Sequence, residues 1–220
     1  MTQVAGVEWQ VSPGLTPYEV SLAAMEKRAA AIRSGEAEEL VWLLEHPPLF
    51  TAGTSAANDE LINPMHFPVH EAGRGGRYTY HGPGQRVGYL MLDLETRGRD
   101  IRHFVFSLEG WLIAALDSLG VEARRETGRI GLWVGRGAEE AKIAAIGVRV
   151  KRWVTLHGFS VNVSPDLSHF AGIVPCGIRD FGVTSLAALG IGASMSDFDE
   201  SLKRSFPRFL EELRTRDKVP

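Results

Sequence analysis

Five glycines fall within the fourteen positions from Gly75 to Gly88, inside a stretch that reads RGGRYTYHGPGQRVGYLMLDL from Arg74 to Leu94. So many glycines limit what the segment can become. Each weakens a regular element, and each lets another group approach the backbone closely. The run Arg77 to Tyr80 favours strand, as does Val87 to Leu94. Between them His81 precedes Gly82-Pro83-Gly84, where Pro83 stiffens the turn. Two strands joined this way predict a hairpin whose turn residues line a cleft. A hairpin that only supports a fold has little use for five glycines, so the spacing favours a binding site over mere scaffold.

The rest of the chain supplies the frame. Val7 to Val11 reads as a short strand. Thr16 is placed to cap a helix with Pro17 at its first position and Glu19 completing the capping box. The helix is predicted to run to about Ser34 and stop at Gly35. Glu39 to Leu44 reads as a strand that His46-Pro47-Pro48 ends. The small residues of Leu49 to Asp59 read as a loop near the cleft, and Val69 to Ala72 as a short strand. Asp100 caps a second helix whose stripe, Phe104, Leu108, Trp111, Leu112, Ala115 and Leu119, is core-facing. Strands are predicted at 121–125, 132–135, 141–150 and 153–163, the last two joined by a turn at Lys151-Arg152. Residues 164–175 read as irregular, with a short helix near Thr184. Ser196, with Asp199 three residues on, caps a final helix that Pro207 should kink or break. There is no regular βαβ alternation. The pattern predicts an α+β fold: a mixed or antiparallel sheet with packed helices, in one domain spanning residues 1–220.

Bulk composition removes several function classes. Of the 220 residues 44% are hydrophobic, enough for a full core, and the net charge of −3 argues against general nucleic-acid binding. No apolar run approaches the roughly 18 residues of a membrane span. The first residues lack the basic start and apolar core of a secretory signal. One cysteine allows no internal disulfide, which points to a soluble protein of a reducing compartment, and no transit peptide is apparent. The seven histidines include no HExxH spacing, so no metal site is expected. GxxxxGK[ST] and GxSxG are absent as well.

The single thiol, Cys176, lies between Pro175 and Gly177 in a loop-like context. It is either a small buried hydrophobe or a nucleophile, and a nucleophile needs a nearby cation or base to ionise it. Lys142, His81 and His157 are the candidates. Alternation would place Lys142 on one face with Ala144, Ile146 and Val148. It is either an edge lysine with its head in water or a partly buried one usable as a base. Both histidines adjoin a glycine, which suggests turns or strand ends.

RGGRYTYHGPGQ followed by VGYLMLDL resembles the signature of the lipoyl(octanoyl) transferases, the protein-lipoylation enzymes. The likeness extends to EHPPLFTAGTSA from Glu45, AKIAAIGVRV from Ala141, WVTLHGFSVNV from Trp153 and FAGIVPCGI from Phe170. The resemblance implies the fold of the biotin and lipoate protein ligase catalytic domain. It implies transfer of an octanoyl or lipoyl group from the phosphopantetheine of acyl carrier protein, through a cysteine thioester, to a lysine of a lipoyl domain. The acceptors would be the lipoyl domains of 2-oxoacid dehydrogenase acyltransferase subunits and the glycine cleavage H protein. On the matching positions it implies a dyad of Cys176 and Lys142. The implied substrate-binding residues are Arg74, Gly75, Gly76, Arg77, Tyr78, Thr79, Tyr80 and His81, then Ala145, Ile146, Gly147, Gly158, Phe159 and Ser160. No cofactor is implied, and the expected setting is a cytoplasmic monomer. Ala145-Ile146 departs from the Ser-Leu found in many relatives, which bears on a side-chain hydroxyl and not on the backbone. The alternative on the same fold is an ATP-dependent lipoate or biotin ligase, which has no use for the thiol. A non-catalytic acyl-binding module would not need Lys142 beside Cys176, and a thioesterase would use water in place of the acceptor lysine.

Overall fold

The structure is a computed structural model, and it describes residues 2–173 and 182–215. In chain order the strands and helices are β1 (Thr2–Val4), β2 (Val7–Leu15), α1 (Tyr18–Ser34), β3 (Leu40–Glu45), β4 (Leu49–Ala52), β5 (Val69–Glu71), β6 (Thr79–His81) and β7 (Gln85–Met91). There follow α2 (Ile101–Asp117), β8 (Arg124–Glu126), β9 (Arg129–Val134), β10 (Ala141–Lys151), β11 (Val154–Asn162), β12 (Gly182–Val183) and α3 (Met195–Glu212). The fold is α+β. A nine-stranded sheet runs β1-β2-β3-β7-β11-β10-β9-β8, with β12 also pairing with β10, and a small sheet runs β5-β4-β6. The large sheet is mixed. β2 is parallel to β3 and β12 to β10, and the other pairs are antiparallel.

Helices cover both faces of the large sheet. Its central strands therefore read as near-continuous apolar runs, LVWLL in β3 and YLM in β7. Val41, Leu43 and Leu90 join the core under α2 and α3, with Phe104, Leu108, Trp111, Phe206 and Phe209. The alternate residues Leu40, Trp42, Leu44, Tyr89 and Met91 meet Met25, Ala29 and Ile32 of α1.

Several local expectations are corrected by long-range pairing. The predicted hairpin does not form. β6 pairs with β4 in the small sheet, while β7 lies between β3 and β11 in the large one. The Gly82–Gln85 turn thus carries the chain from one sheet to the other. Leu49–Ala52, expected as loop, is strand β4. Thr16 does not cap α1, because its N–H is bound to Glu45 O and its own carbonyl accepts from His46 Nδ1. Pro17 takes the cap position instead, without a side-chain cap. The β10–β11 register pairs Lys151 with Val154, so the turn residues are Arg152 and Trp153, both at positive φ. No helix forms at Thr184. The N–H groups of Thr184, Leu186 and Ala187 bond to Lys142, Asn162 and Val163, which spends them on the sheet. Helix α3 is capped by Ser194 with Asp197, not by Ser196, and it continues through Pro207 to Glu212. Asp199 is engaged elsewhere, as a buried two-point partner of Arg86 on β7. Gly35 ends α1 in the left-handed conformation and Asp100 caps α2, as their sequence contexts predict.

Candidate active site

The site grows from an interruption at the edge of β10. Strand β9 pairs with β10 only as far as Ala144, across a bulge at Lys142/Ala144. Further along that edge the glycine-rich loop takes over, and Gly75 N–H donates to Val148 O at 3.0 Å. Between the two attachments lies a cavity of about 480 Å³ with a mostly apolar lining. Ala145, Ile146 and Gly147 form one wall, and Gly158, Phe159 and Ser160 of β11 form the next. The loop Arg74–Thr79 closes over it, His81 and Lys142 face it, and Ile101, Val105 and Ile130 stand at its α2 side. Gly147 must lack a side chain here, since a Cβ would lie 2.8 Å from Arg74 Cδ and 3.2 Å from Gly75 O.

Arg74 is the fastener of this loop. It is 7% exposed. Its Nη1 donates to the carbonyls of Gly75 and Arg77, and its Nη2 to Thr51 O and Oγ1. From the other side, the N–H groups of Gly53, Thr54 and Ser55 bond to the carbonyls of Arg77, Arg74 and Gly76. Residues 53–55 therefore back the loop, and an ion pair between Arg77 and the buried Glu60 adds a further tie. Tyr80 is not brought to the cavity. It is packed among Phe50, Phe67 and Phe170, with its hydroxyl on His169 Nδ1 at 2.7 Å.

Lys142 is 8% exposed, which resolves the sequence alternatives in favour of burial. Its Nζ lies 5.2 Å from the centre of the Trp133 ring, within cation–π range. The strand pairing places Val183 opposite Lys142. Ile173 and Val183, which flank residues 174–181, both line the cavity. Cys176 lies outside the described residues.

The histidines near the cavity are neutral for a common reason. Burial drives His81 well below the usual imidazole range, His46 down to about 4 and His157 down to about 3. The tautomer of His81 follows from its partners. Thr184 O can only accept, so Asn162 Nδ2 donates to it at 2.9 Å. Asn162 Oδ1 then accepts from Gln85 Nε2, and Gln85 Oε1 accepts from His81 Nδ1–H at 2.7 Å. His81 thus carries its proton on Nδ1 and keeps a lone pair on Nε2. His157 is not at a strand end. It sits within β11 at φ 61°, in contact with Tyr18 of α1 through Nε2 at 3.1 Å. Alternation along β11 sends Phe159 and Val161 toward α2, so the left-handed backbone is what turns His157 to the α1 side. Tyr18, Gln85, Tyr89 and Asn162 also line the cavity. Sequence reading missed them, because a buried polar residue on a strand, or a tyrosine in the first turn of a helix, carries no turn or motif signal. Among the described residues no group of histidines and carboxylates is placed to hold a metal ion, and no helix is long and apolar enough to cross a membrane.

This is the architecture of a protein-ligase catalytic domain, and the lipoyl protein ligase A/B catalytic domain family matches residues 17–207. The octanoyltransferase of Rhizorhabdus wittichii is 63% identical over 214 residues, covering 97% of this chain and 96% of that protein. That of Sphingopyxis alaskensis is 66% identical over 212 residues, covering 96% and 97%. The chain belongs to the lipoyl protein ligase A/B family, on its octanoyltransferase branch. Solved structures agree at the level of fold. A bi-partite lipoate protein ligase from Thermoplasma acidophilum superposes with a TM-score of 0.70 at 16% identity, covering 93% of this chain and 84% of that one. A lipoate-protein ligase A bound with ATP gives 0.70 at 17% identity, covering 93% and 86%.

Proposed function

We propose that this protein is an acyltransferase that moves an octanoyl group from the phosphopantetheine thioester of acyl carrier protein to a lysine of a lipoyl domain, with Cys176 as the intermediate carrier. The observation that carries the reading is Lys142. This buried lysine faces a mostly apolar cavity whose wall includes Ile173 and Val183, on either side of the segment that holds the chain's one thiol. A cavity of about 480 Å³ lined by glycine backbone and apolar side chains suits a saturated acyl chain.

The chemistry balances in two half-reactions. The Cys176 thiolate attacks the donor carbonyl, a C–S bond forms, and the pantetheine sulfur leaves with the proton of the Lys142 ammonium. The acceptor amine then attacks the enzyme thioester. Its proton passes to the Lys142 amine, the amide forms, and the Cys176 thiolate is regenerated beside an ammonium. Neither half-reaction consumes ATP, because the donor is already a thioester. His81 lines the cavity in its neutral form and adds no cationic charge. The setting we propose is the cytoplasm, where a free thiol persists.

Incubation with octanoyl-acyl carrier protein followed by intact-mass measurement is the direct test. A single octanoyl adduct that chases onto a lipoyl domain without ATP is expected, and it should disappear in Cys176→Ser. An undiminished adduct in that variant, or transfer that requires ATP and free octanoate, overturns the reading.

A further inference from the structure

Helix α2 presents one buried acid among its apolar residues. Glu109 is 7% exposed, beside Leu108, Trp111 and Leu112. A carboxylate is seldom buried without a partner of matching charge or several donors. The mechanism above does not use it. Its Oε1 accepts the N–H of Gly131 on β9 at 3.1 Å, and its Oε2 lies 3.3 Å from Nε of Arg125 on β8. Gly131 is the point where Lys142 crosses β9. It has φ +112°, and a Cβ there would stand 2.6 Å from Lys142 Cε and 3.2 Å from Nζ. The Lys142 amine thus lies against one side of the Gly131 backbone, and Glu109 holds the N–H of the same residue.

We propose that Glu109 is a positioning residue of the transfer site, a buried carboxylate that acts across Gly131 to hold the proton and the direction of the Lys142 amine. The inference rests on the proposed role of Lys142. It assigns a function to an acid that is remote in sequence from every site motif. Burial pushes the Glu109 carboxyl up, while the Gly131 N–H, Arg125 and the charge on Lys142 draw it back down. Other charged groups among the described residues stand near the pair. Arg125 is further influenced by Glu212 of α3. Arg129 of β9 is paired with Glu140 and stacked on Trp133, the ring that Lys142 also approaches. One oxygen of the carboxylate holds Gly131, against which Lys142 lies, and the other faces Arg125.

That order gives a test with opposite signs. The chain has five lysines, so ε-13C-lysine spectra are simple, and the Lys142 signal is the one lost in Lys142→Arg. Glu109→Gln keeps an oxygen to accept the Gly131 N–H and removes the negative charge. Lys142 should then lose its proton at lower pH than in the parent protein. Arg125→Gln removes the positive charge behind the carboxylate, so the same signal should titrate at higher pH. A residue with only a structural role would not move the titration in two directions. An unmoved Lys142 titration in Glu109→Gln, or shifts of the same sign in both variants, overturns the proposal. If the single variants fail to fold, Glu109→Gln with Arg125→Met leaves no unpaired buried charge. In that double variant the signal should move to lower pH, by less, and an unmoved signal overturns the proposal as well. None of these readouts needs catalysis. If the protein transfers no acyl group, the functional reading falls and the titration still decides the part played by Glu109.

Discussion

Gly131 sets the tolerance of the site at the scale of one residue. Its positive φ is strained for any L side chain, and a Cβ would meet Ala144 O at 2.5 Å as well as Lys142. Gly131→Ala should therefore cost about 1–3 kcal/mol of stability and slow single-turnover transfer more than tenfold, because Lys142 is displaced. Urea unfolding read beside single-turnover kinetics checks it, and wild-type rates in a destabilised variant would show that the crossing is not needed. Arg74 makes a second residue-scale prediction. Its planar fork binds three carbonyls and one hydroxyl at once, which a lysine cannot do. Arg74→Lys should raise KM for the acyl donor about tenfold with a smaller change in kcat, since the loop loosens while Lys142 stays in place. Steady-state kinetics with octanoyl-acyl carrier protein decides it. At this scale the sequence was partly legible. The glycine-rich stretch stood out by its spacing and Lys142 as a candidate by its strand context, and the resemblance added the roles it implies for them. Glu109 did not, because a glutamate next to a helical stripe reads as solvent-facing until the neighbouring strand is in place.

Elements explain most of what the sequence did not show. α1, α2 and the strands β2, β3, β10 and β11 announce themselves by period, caps and β-branched runs, and each appears within a few residues of its expected limits. The hairpin at Gly82–Gln85 was illegible because sheet membership is not local. Thr79–His81 and Gln85–Met91 have strand chemistry and a stiff turn, yet partners distant in sequence take each of them into a different sheet. The α3 cap was misplaced for a similar reason, since Asp199 serves a residue far from it along the chain. Its two hydrogen bonds to Arg86, at 2.8 and 3.0 Å, tie α3 to the centre of the large sheet. Removing one partner would strand a buried charge. Asp199→Ala should cost about 3–5 kcal/mol, and the paired replacement Arg86→Met with Asp199→Leu should cost clearly less. Chemical denaturation of both variants tests this, and equal losses would mean that the pair matters through packing alone.

Three imidazoles, those of His46, His81 and His157, are buried near the place where α1 meets the cavity, and this predicts how the whole molecule responds to acid. His46 donates from Nδ1 to Thr16 O and receives the Tyr89 hydroxyl on Nε2, so its neutral form fits both partners. Burial holds His46 down to about 4, His157 down to about 3 and His81 well below the usual range, against about 6.5 in an unfolded chain. As pH falls below about 6.5, the unfolded chain takes up protons that the folded one refuses. Stability therefore falls with decreasing pH across the window from about 6.5 to 4, by up to about 1.4 kcal/mol per pH unit for each histidine. Glu109 and Asp199 act with the opposite sign. Their folded carboxyls are raised by burial, so protonation relieves a cost and softens the acid end of the window. Well above pH 6.5 the histidine contributions are flat. His46→Gln keeps a donor for Thr16 O and an acceptor for Tyr89, but cannot take up the proton. Its stability should fall less steeply between pH 6.5 and 4.5, by about one proton's worth of slope, while its pH 7.5 stability changes little. Urea midpoints at half-unit intervals of pH measure both slopes, and identical slopes in variant and parent would remove His46 from the acid response.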